Sequence, residues 1–202
     1  SYFVKPPLFE YAAPATLEEA VTLLSANRDG AKILAGGQSL VPVLNLRLAS
    51  PSLLIDLNRI REISGISYAD GGSLVVGAMT RHREFELSAL VRKTHPLIQH
   101  AAGFIAHAQV RNRGTIGGSL CHADPAAEWP AICLACDAEV TLASTAGQRI
   151  VRADDFSLGV YTTALHENEI LVSIRFPAWP SGRRWGFVEV SRRHGDFAIV
   201  GV

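Results

Sequence analysis

The stretch Leu34-Ala35-Gly36-Gly37-Gln38-Ser39-Leu40-Val41 sets a glycine pair between an apolar run suited to a strand and one suited to a helix. A second pair stands in Arg113-Gly114-Thr115-Ile116-Gly117-Gly118-Ser119-Leu120-Cys121. In both, Ser follows the pair at a short interval. Paired glycines permit positive φ and let the main chain approach an anion with no Cβ in the way, so several N–H groups can converge on its oxygens. Strand, glycine turn, helix is an anion-binding order. Two such turns, far apart in sequence, point to one ligand with more than one phosphate. A lone Gly-Gly reads as well as a tight turn or a helix C-cap; the recurrence, with Ser or Thr beside each pair, is what favours a ligand.

Upstream, Thr16-Leu17-Glu18-Glu19 has the form of a capping box, and Leu17, Ala20, Val21 and Leu24 fall on one helical face. A strand over residues 32–35 feeds the first glycine turn. Ser39 is placed to cap the next helix, with Pro42 in its first turn and Leu40, Val43, Leu44 and Leu48 as its apolar stripe. Residues 53–57 form a further strand. The expected N-terminal unit, residues 1–57, is therefore a small α/β subdomain.

From Ile63 the pattern changes to paired strands, with Asp70-Gly71-Gly72 turning the chain before a strand over 74–78. Thr80 is expected to cap a short helix ending at Glu86, and Pro96 to open a longer one. Asp124-Pro125 reads as a helix start running to Ala135. Residues 139–143 and 149–151 read as a hairpin, and 170–176 and 187–191 as strands. Residues 58–180 thus form a larger, mainly antiparallel α+β subdomain. The Pro-Gly-Arg loop over 177–184 is the one disordered-looking spot. The sequence stops in the apolar stretch Phe197-Ala198-Ile199-Val200-Gly201-Val202, which reads as an interruption, since the ends of complete domains are usually polar.

Composition narrows the function. Lys plus Arg equals Asp plus Glu at 19 each, so no basic field recruits nucleic acid or a membrane surface. A phosphate ligand must rely on local dipoles. No apolar run approaches the roughly 20 residues of a membrane span, and the expected location is cytoplasmic. Three cysteines fit a reducing compartment. The Cys133-Leu134-Ala135-Cys136 spacing matches a metal site, but no second such pair accompanies it, and buried core packing is the better reading, so no metal ligands are assigned.

Neither glycine turn carries the Lys-Ser/Thr of a Walker A loop, and adjacent pairs do not fit G-x-G-x-x-G. Ser39 and Ser119 lack a nucleophile-elbow context, nothing ties His82, His107 or His122 to them, and the seven histidines read as scattered surface or hydrogen-bonding residues. Arg111, Arg113, Arg192 and Arg193 read as surface or interface charges rather than phosphate clamps. No catalytic constellation emerges.

The segments Ala35-Gly36-Gly37-Gln38-Ser39-Leu40, Val110-Arg111-Asn112-Arg113-Gly114-Thr115-Ile116-Gly117-Gly118-Ser119 and His122-Ala123-Asp124-Pro125-Ala126-Ala127-Glu128 together resemble the FAD-binding medium subunit of bacterial molybdenum hydroxylases. Carbon monoxide dehydrogenase and nicotine dehydrogenase belong to that family, and the FAD domain of xanthine dehydrogenase is a relative. The resemblance implies an α+β PCMH-type FAD-binding fold with FAD between the two subdomains, and it implies that residues 181–202 are the start of a truncated C-terminal subdomain. It implies that Leu34, Ala35, Gly36, Gly37, Gln38, Ser39, Leu40 and Val41 wrap the pyrophosphate and that Thr115, Ile116, Gly117, Gly118 and Ser119 complete the cradle. Asp124 and Glu128 match positions that contact the nucleotide, though either also reads as a helix cap or first-turn acid. Leu171 matches an apolar position near the cofactor and reads equally as strand core. Phe197 stands where relatives place an aromatic residue, often Tyr, against the isoalloxazine; stacking survives the loss of the hydroxyl.

The same resemblance implies a relay. Substrate is hydroxylated at a molybdenum cofactor on a large subunit, electrons cross two [2Fe-2S] clusters on a small subunit, and FAD on this chain passes them to an external acceptor, in a dimer of heterotrimers. Two alternatives stand beside it. A self-contained FAD-dependent oxidase or dehydrogenase requires a substrate pocket with its own base, and a flavin-free scaffold has no use for two glycine turns.

Overall fold

The computed structural model describes residues 5–193 and 195–202; His194, one of the seven histidines, lies outside them. The chain begins with β1 (Glu10–Ala12), α1 (Leu17–Ala26), β2 (Ala31–Leu34), α2 (Leu40–Asn45) and β3 (Leu53–Asp56). Its three strands form a parallel sheet in the order β1-β3-β2. Parallel neighbours need crossovers, which α1 and α2 provide. The Thr16 hydroxyl accepts from Glu19 N–H at 3.2 Å, as expected of the cap, while the Glu19 carboxylate reaches one residue past it to Ala15 N–H at 2.7 Å.

The second helix departs from expectation. Ser39 makes no side-chain cap bond, and Leu44 is the only fully buried member of the stripe. The helix stops at Asn45 and Arg47 turns the chain at φ 56°, so Leu48 falls beyond the last helical turn and stays 74% exposed.

The next hairpin joins β4 (Ile66–Tyr68) to β5 (Leu74–Gly77) through Gly71 and Gly72, both at positive φ. Six short helices follow: α3 (His82–Leu87), α4 (Ala89–Thr94), α5 (Pro96–Ala102), α6 (Ala108–Arg111), α7 (Ile116–His122) and α8 (Glu128–Ala135). Thr80 does not cap α3. Its buried hydroxyl exchanges hydrogen bonds with the Gly65 backbone at 2.9 and 3.0 Å, and Arg81 N–H donates to Glu84 Oε1 at the helix start. Asp124 does not start α8 either. Its Oδ1 accepts from Ala126 N–H at 2.8 Å in a local turn that competes with helix, and the helix begins four residues later.

The chain then forms β6 (Glu139–Ser144) and β7 (Gly147–Arg152), the expected hairpin, followed by α9 (Ala153–Phe156) and a small hairpin of β8 (Ser157–Gly159) and β9 (Thr162–Thr163). β10 (Ile170–Phe176) inserts between β5 and β6 to give an antiparallel sheet in the order β4-β5-β10-β6-β7. β11 (Glu189–Val190) pairs with β12 (Val200–Gly201).

Strand β10 is covered on both faces. Ile170 and Val172 pack with the N-terminal core around Ala20, Leu24 and Ile55, whereas Leu171, Ile174 and Phe176 pack with the helical core around Phe85, Ile98 and Trp129. A register shift between Leu171 and Ser173 resets the alternation, which is how Leu171 and Ile174 come to share a face. Cys133 and Cys136 lie in the helical core, and burial raises both thiols, Cys136 to about 11. That is the expected core packing.

The 177–184 loop is held rather than loose. His95 Nε2 lies 2.8 Å from the Pro177 carbonyl, Arg183 stacks 4.9 Å over the Trp179 ring, and its guanidinium donates to the Ala135 carbonyl at 2.6 Å. Among the described residues, no helix is long and apolar enough to cross a membrane.

Candidate functional site

A cavity of about 1190 Å³ opens where the parallel sheet meets the antiparallel one. Ligand pockets of roughly 300–1,000 Å³ hold ordinary small molecules, so this one suits a larger ligand. Ala35, Gly36, Gly37, Gln38, Ser39 and Leu40 line it from the N-terminal unit. Thr115, Gly117, Gly118, Ser119, Asp124, Glu128, Leu171 and Phe197 line it from the rest of the chain. Three sequence candidates fall off the lining. Leu34 ends β2 in register with Asp56, Val41 is on the exposed side of α2, and Ile116 is fully buried in the helical core.

The two glycine segments use their amides differently. Among the described residues, the N–H groups of Gly36, Gly37, Gln38 and Ser39 have no acceptor. Four successive unpaired donors on a cavity wall are a ready anion site. In the second segment Ile116 N–H donates to Thr80, Gly117 N–H to Ala78, Gly118 N–H to the Thr115 hydroxyl and Ser119 N–H to Thr115 O. The second segment is thus the first turn of α7 capped by Thr115, not an open glycine turn. It offers the cavity a wall and the Thr115 and Ser119 side chains.

The missing Cβ atoms face protein rather than the cavity. A Cβ on Gly36 would lie 2.3 Å from the Arg113 carbonyl, and one on Gly114 2.7 Å from the His82 ring. Gly37 is glycine for its conformation, at φ +74. The glycines therefore let the two segments close on each other, and the amide run is a consequence of that packing.

Charges around the cavity are unevenly shielded. Burial, with the neighbouring Glu189 and Asp124 carboxylates, pushes Glu128 up to about 7. Asp124 Oδ2 accepts from the Tyr161 hydroxyl at 3.1 Å. Burial beside Arg81 and Arg111 lowers His82 to about 4, so the ring is neutral and accepts from Trp129 Nε1 at 3.0 Å. Arg111 is buried rather than a surface charge. Its guanidinium meets Glu86 at 3.0 Å and the carbonyls of Ile105 and Ala106 at 3.0 and 2.8 Å, and both of those residues line the cavity. His107 and Arg192 also line it. No sequence signal singled out His107, and Arg192 read as a surface charge because long cations usually are.

A pocket with a run of free amides and little catalytic equipment suits the binding of a phosphate-bearing cofactor, and the chain's sequence matches a family of that kind. The family described as the FAD binding domain in molybdopterin dehydrogenase covers residues 7–179. The chain belongs to that family.

Among curated relatives of this FAD-binding chain, the carbon monoxide dehydrogenase medium chain of Hydrogenophaga pseudoflava is 46% identical over 97% of the chain and 68% of its own length. The 6-hydroxypseudooxynicotine dehydrogenase complex subunit alpha of Paenarthrobacter nicotinovorans is 44% identical over 98% of the chain and 67% of its own. A solved carbon monoxide dehydrogenase of Hydrogenophaga pseudoflava superimposes with a TM-score of 0.95 at 47% identity, covering 98% of this chain and 68% of that one. Quinoline 2-oxidoreductase of Pseudomonas putida 86 superimposes at 0.93 and 44%, with the same coverage. The chain thus spans about two thirds of the length of these relatives. It is the flavoprotein component of an oxidoreductase.

The residues present fit FAD. The free amides suit a pyrophosphate, the cavity is large enough for a dinucleotide, and Phe197, 70% exposed on the lining, gives an aromatic face at an open rim.

Proposed function

We propose that this chain binds FAD with its pyrophosphate on the N–H groups of Gly36, Gly37, Gln38 and Ser39 and serves as the electron-relay subunit of a cytoplasmic molybdenum hydroxylase. The observation that carries the reading is the run of four acceptor-free amides on the wall of a dinucleotide-sized cavity. Thr115, Gly117, Gly118 and Ser119 form the adjoining wall, and Asp124, Glu128, Leu171 and Phe197 complete the enclosure. Leu34, Val41 and Ile116 shape the segments from behind.

The chemistry supplied by the bound flavin is electron transfer in one- and two-electron steps. The chain's own residues bind and orient: amides hold an anion, the buried walls exclude water, and Phe197 offers a stacking surface. The division of labour follows the relatives, whose names place them as medium chains or subunits of dehydrogenase complexes. Partners of the same kind, an iron–sulfur small subunit with two [2Fe-2S] clusters and a molybdenum large subunit, arranged as a dimer of heterotrimers, complete the proposal.

The test is reduction of the bound FAD by substrate. Bleaching that requires the iron–sulfur and molybdenum partners supports the relay. Bleaching of the isolated chain by an organic substrate would make it a self-contained dehydrogenase instead.

A further inference from the structure

We propose that Arg81 is a positioning residue for the FAD cradle, fixing the spacing of the two glycine segments from outside the cavity; this rests on the cofactor reading above. Ala35 and Arg113 stand immediately before Gly36 and Gly114. The Arg81 guanidinium donates through Nη1 to the Arg113 carbonyl and through Nη2 to Asn58 Oδ1. Asn58 Nδ2 donates onward to the Ala35 carbonyl at 2.9 Å and to Asp56 Oδ1 at 2.5 Å. Asp56 is itself anchored by Asn58 N–H at 2.8 Å and by the Tyr11 hydroxyl at 2.5 Å. One chain of side chains therefore links the carbonyl before the first segment to the carbonyl before the second.

The approach it must hold is close: the place a Cβ of Gly36 would take is 2.3 Å from the Arg113 oxygen. Two carbonyl-bearing loops packed so closely that Gly36 has no room for a Cβ need donors between them, and a guanidinium fork reaches two acceptors at a fixed angle where an ammonium does not. Tyr11, Asp56, Asn58 and Arg81 are all absent from the cavity lining, so none acts by touching the cofactor. The start of α3 uses the Arg81 backbone N–H on Glu84, which survives a change of side chain.

The experiment compares wild type with Arg81→Met, Arg81→Lys, Asn58→Ala and the Arg81→Met/Asn58→Ala double variant. FAD affinity is measured by titration, and backbone amide spectra are recorded on the FAD-free chain. The expected result is an FAD Kd raised about tenfold in Arg81→Met, the loss of charge-assisted hydrogen bonds. Arg81→Lys does not restore it, and the double variant hardly exceeds the single because both open one chain of contacts. The Gly36 and Gly37 amide signals move or broaden in Arg81→Met while those of β10 stay. Wild-type affinity in Arg81→Met, or additive effects in the double variant, would overturn the proposal. A wild-type chain that binds no FAD defeats the cofactor reading; the amide spectra then decide about Arg81 alone, and unmoved Gly36 and Gly37 signals overturn its positioning role.

Discussion

Gly117 and Ala78 meet backbone to backbone: Gly117 N–H donates to the Ala78 carbonyl at 2.9 Å, and a Cβ on Gly117 would lie 2.6 Å from the Ala78 Cβ. Helix α7 is thereby seated directly on the end of β5. Gly117→Ala is expected to cost about 2–4 kcal/mol of stability, since the opposing atoms are largely backbone and cannot turn away. Gly118→Ala meets only the Thr115 hydroxyl at 2.8 Å and the Ala35 Cβ at 3.5 Å, and the expected loss is that of a weakened cap, about 1 kcal/mol. Thermal unfolding of the pair checks this; equal losses would contradict the seating of α7.

Gly37 stands inside the amide run at φ +74. In Gly37→Ala the folded state bears about 1 kcal/mol of left-handed strain, a small change in melting temperature. FAD affinity should fall by more, about tenfold or beyond, as relief of the strain re-aims neighbouring N–H groups. A titration showing normal affinity with lowered stability would remove the first segment from the cradle.

How much of this was legible beforehand differs from residue to residue. Both glycine segments stand out because their backbone demands show in residue type, and the N-terminal α/β unit follows from the capping pattern around Thr16. The surfaces those glycines face were not legible: Gly36 and Gly117 pack against Arg113 and Ala78, and sequence spacing carries no record of which distant chain comes close. Thr80 reads as a cap until Gly65, fifteen residues upstream, takes its hydroxyl. Arg111 reads as exposed because charged residues usually are, and it is buried because one carboxylate and two carbonyls satisfy it. The opposite roles of the two segments, one with free amides and one with spent ones, required the hydrogen-bond partners.

Glu128 gives stability a pH dependence of its own. Its folded pKa is raised from 4.5 to about 7, so its contribution is greatest below about pH 4.5 and is lost as pH rises through 7. After allowance for the side chain's contact with solvent, that loss is about 2 kcal/mol. In Glu128→Gln the slope between pH 4.5 and 7 should flatten and stability above pH 7 should rise. Chemical denaturation at a series of pH values reads it, and a slope unchanged by the substitution would contradict the buried carboxyl.

His82 acts in the opposite sense. Its folded pKa is depressed from 6.5 to about 4, so its contribution is complete above pH 6.5 and is lost as pH falls through 4. The Trp129 indole N–H signal should shift as His82 takes up its proton and ceases to accept. A Trp129 signal that moves near pH 6.5 would show an ordinary, accessible histidine.

Arg111→Met should destabilise the chain by about 2–3 kcal/mol, the cost of leaving the Ile105 and Ala106 carbonyls without their donor while Glu86 keeps Arg83 at 2.7 Å. Because Ile105 and Ala106 line the cavity, FAD content should fall with it. Urea unfolding and flavin content of the purified variant are the readouts; stability within 1 kcal/mol of wild type, about the scatter of exposed substitutions, would return Arg111 to the surface.

The most direct measurement is the flavin content of the purified chain by visible spectroscopy, followed by displacement with inorganic pyrophosphate. One FAD per chain, released competitively by pyrophosphate, is the result expected of a dinucleotide site built on the amides of Gly36, Gly37, Gln38 and Ser39. A colourless chain that takes up no added FAD, or a bound flavin indifferent to pyrophosphate, would contradict it.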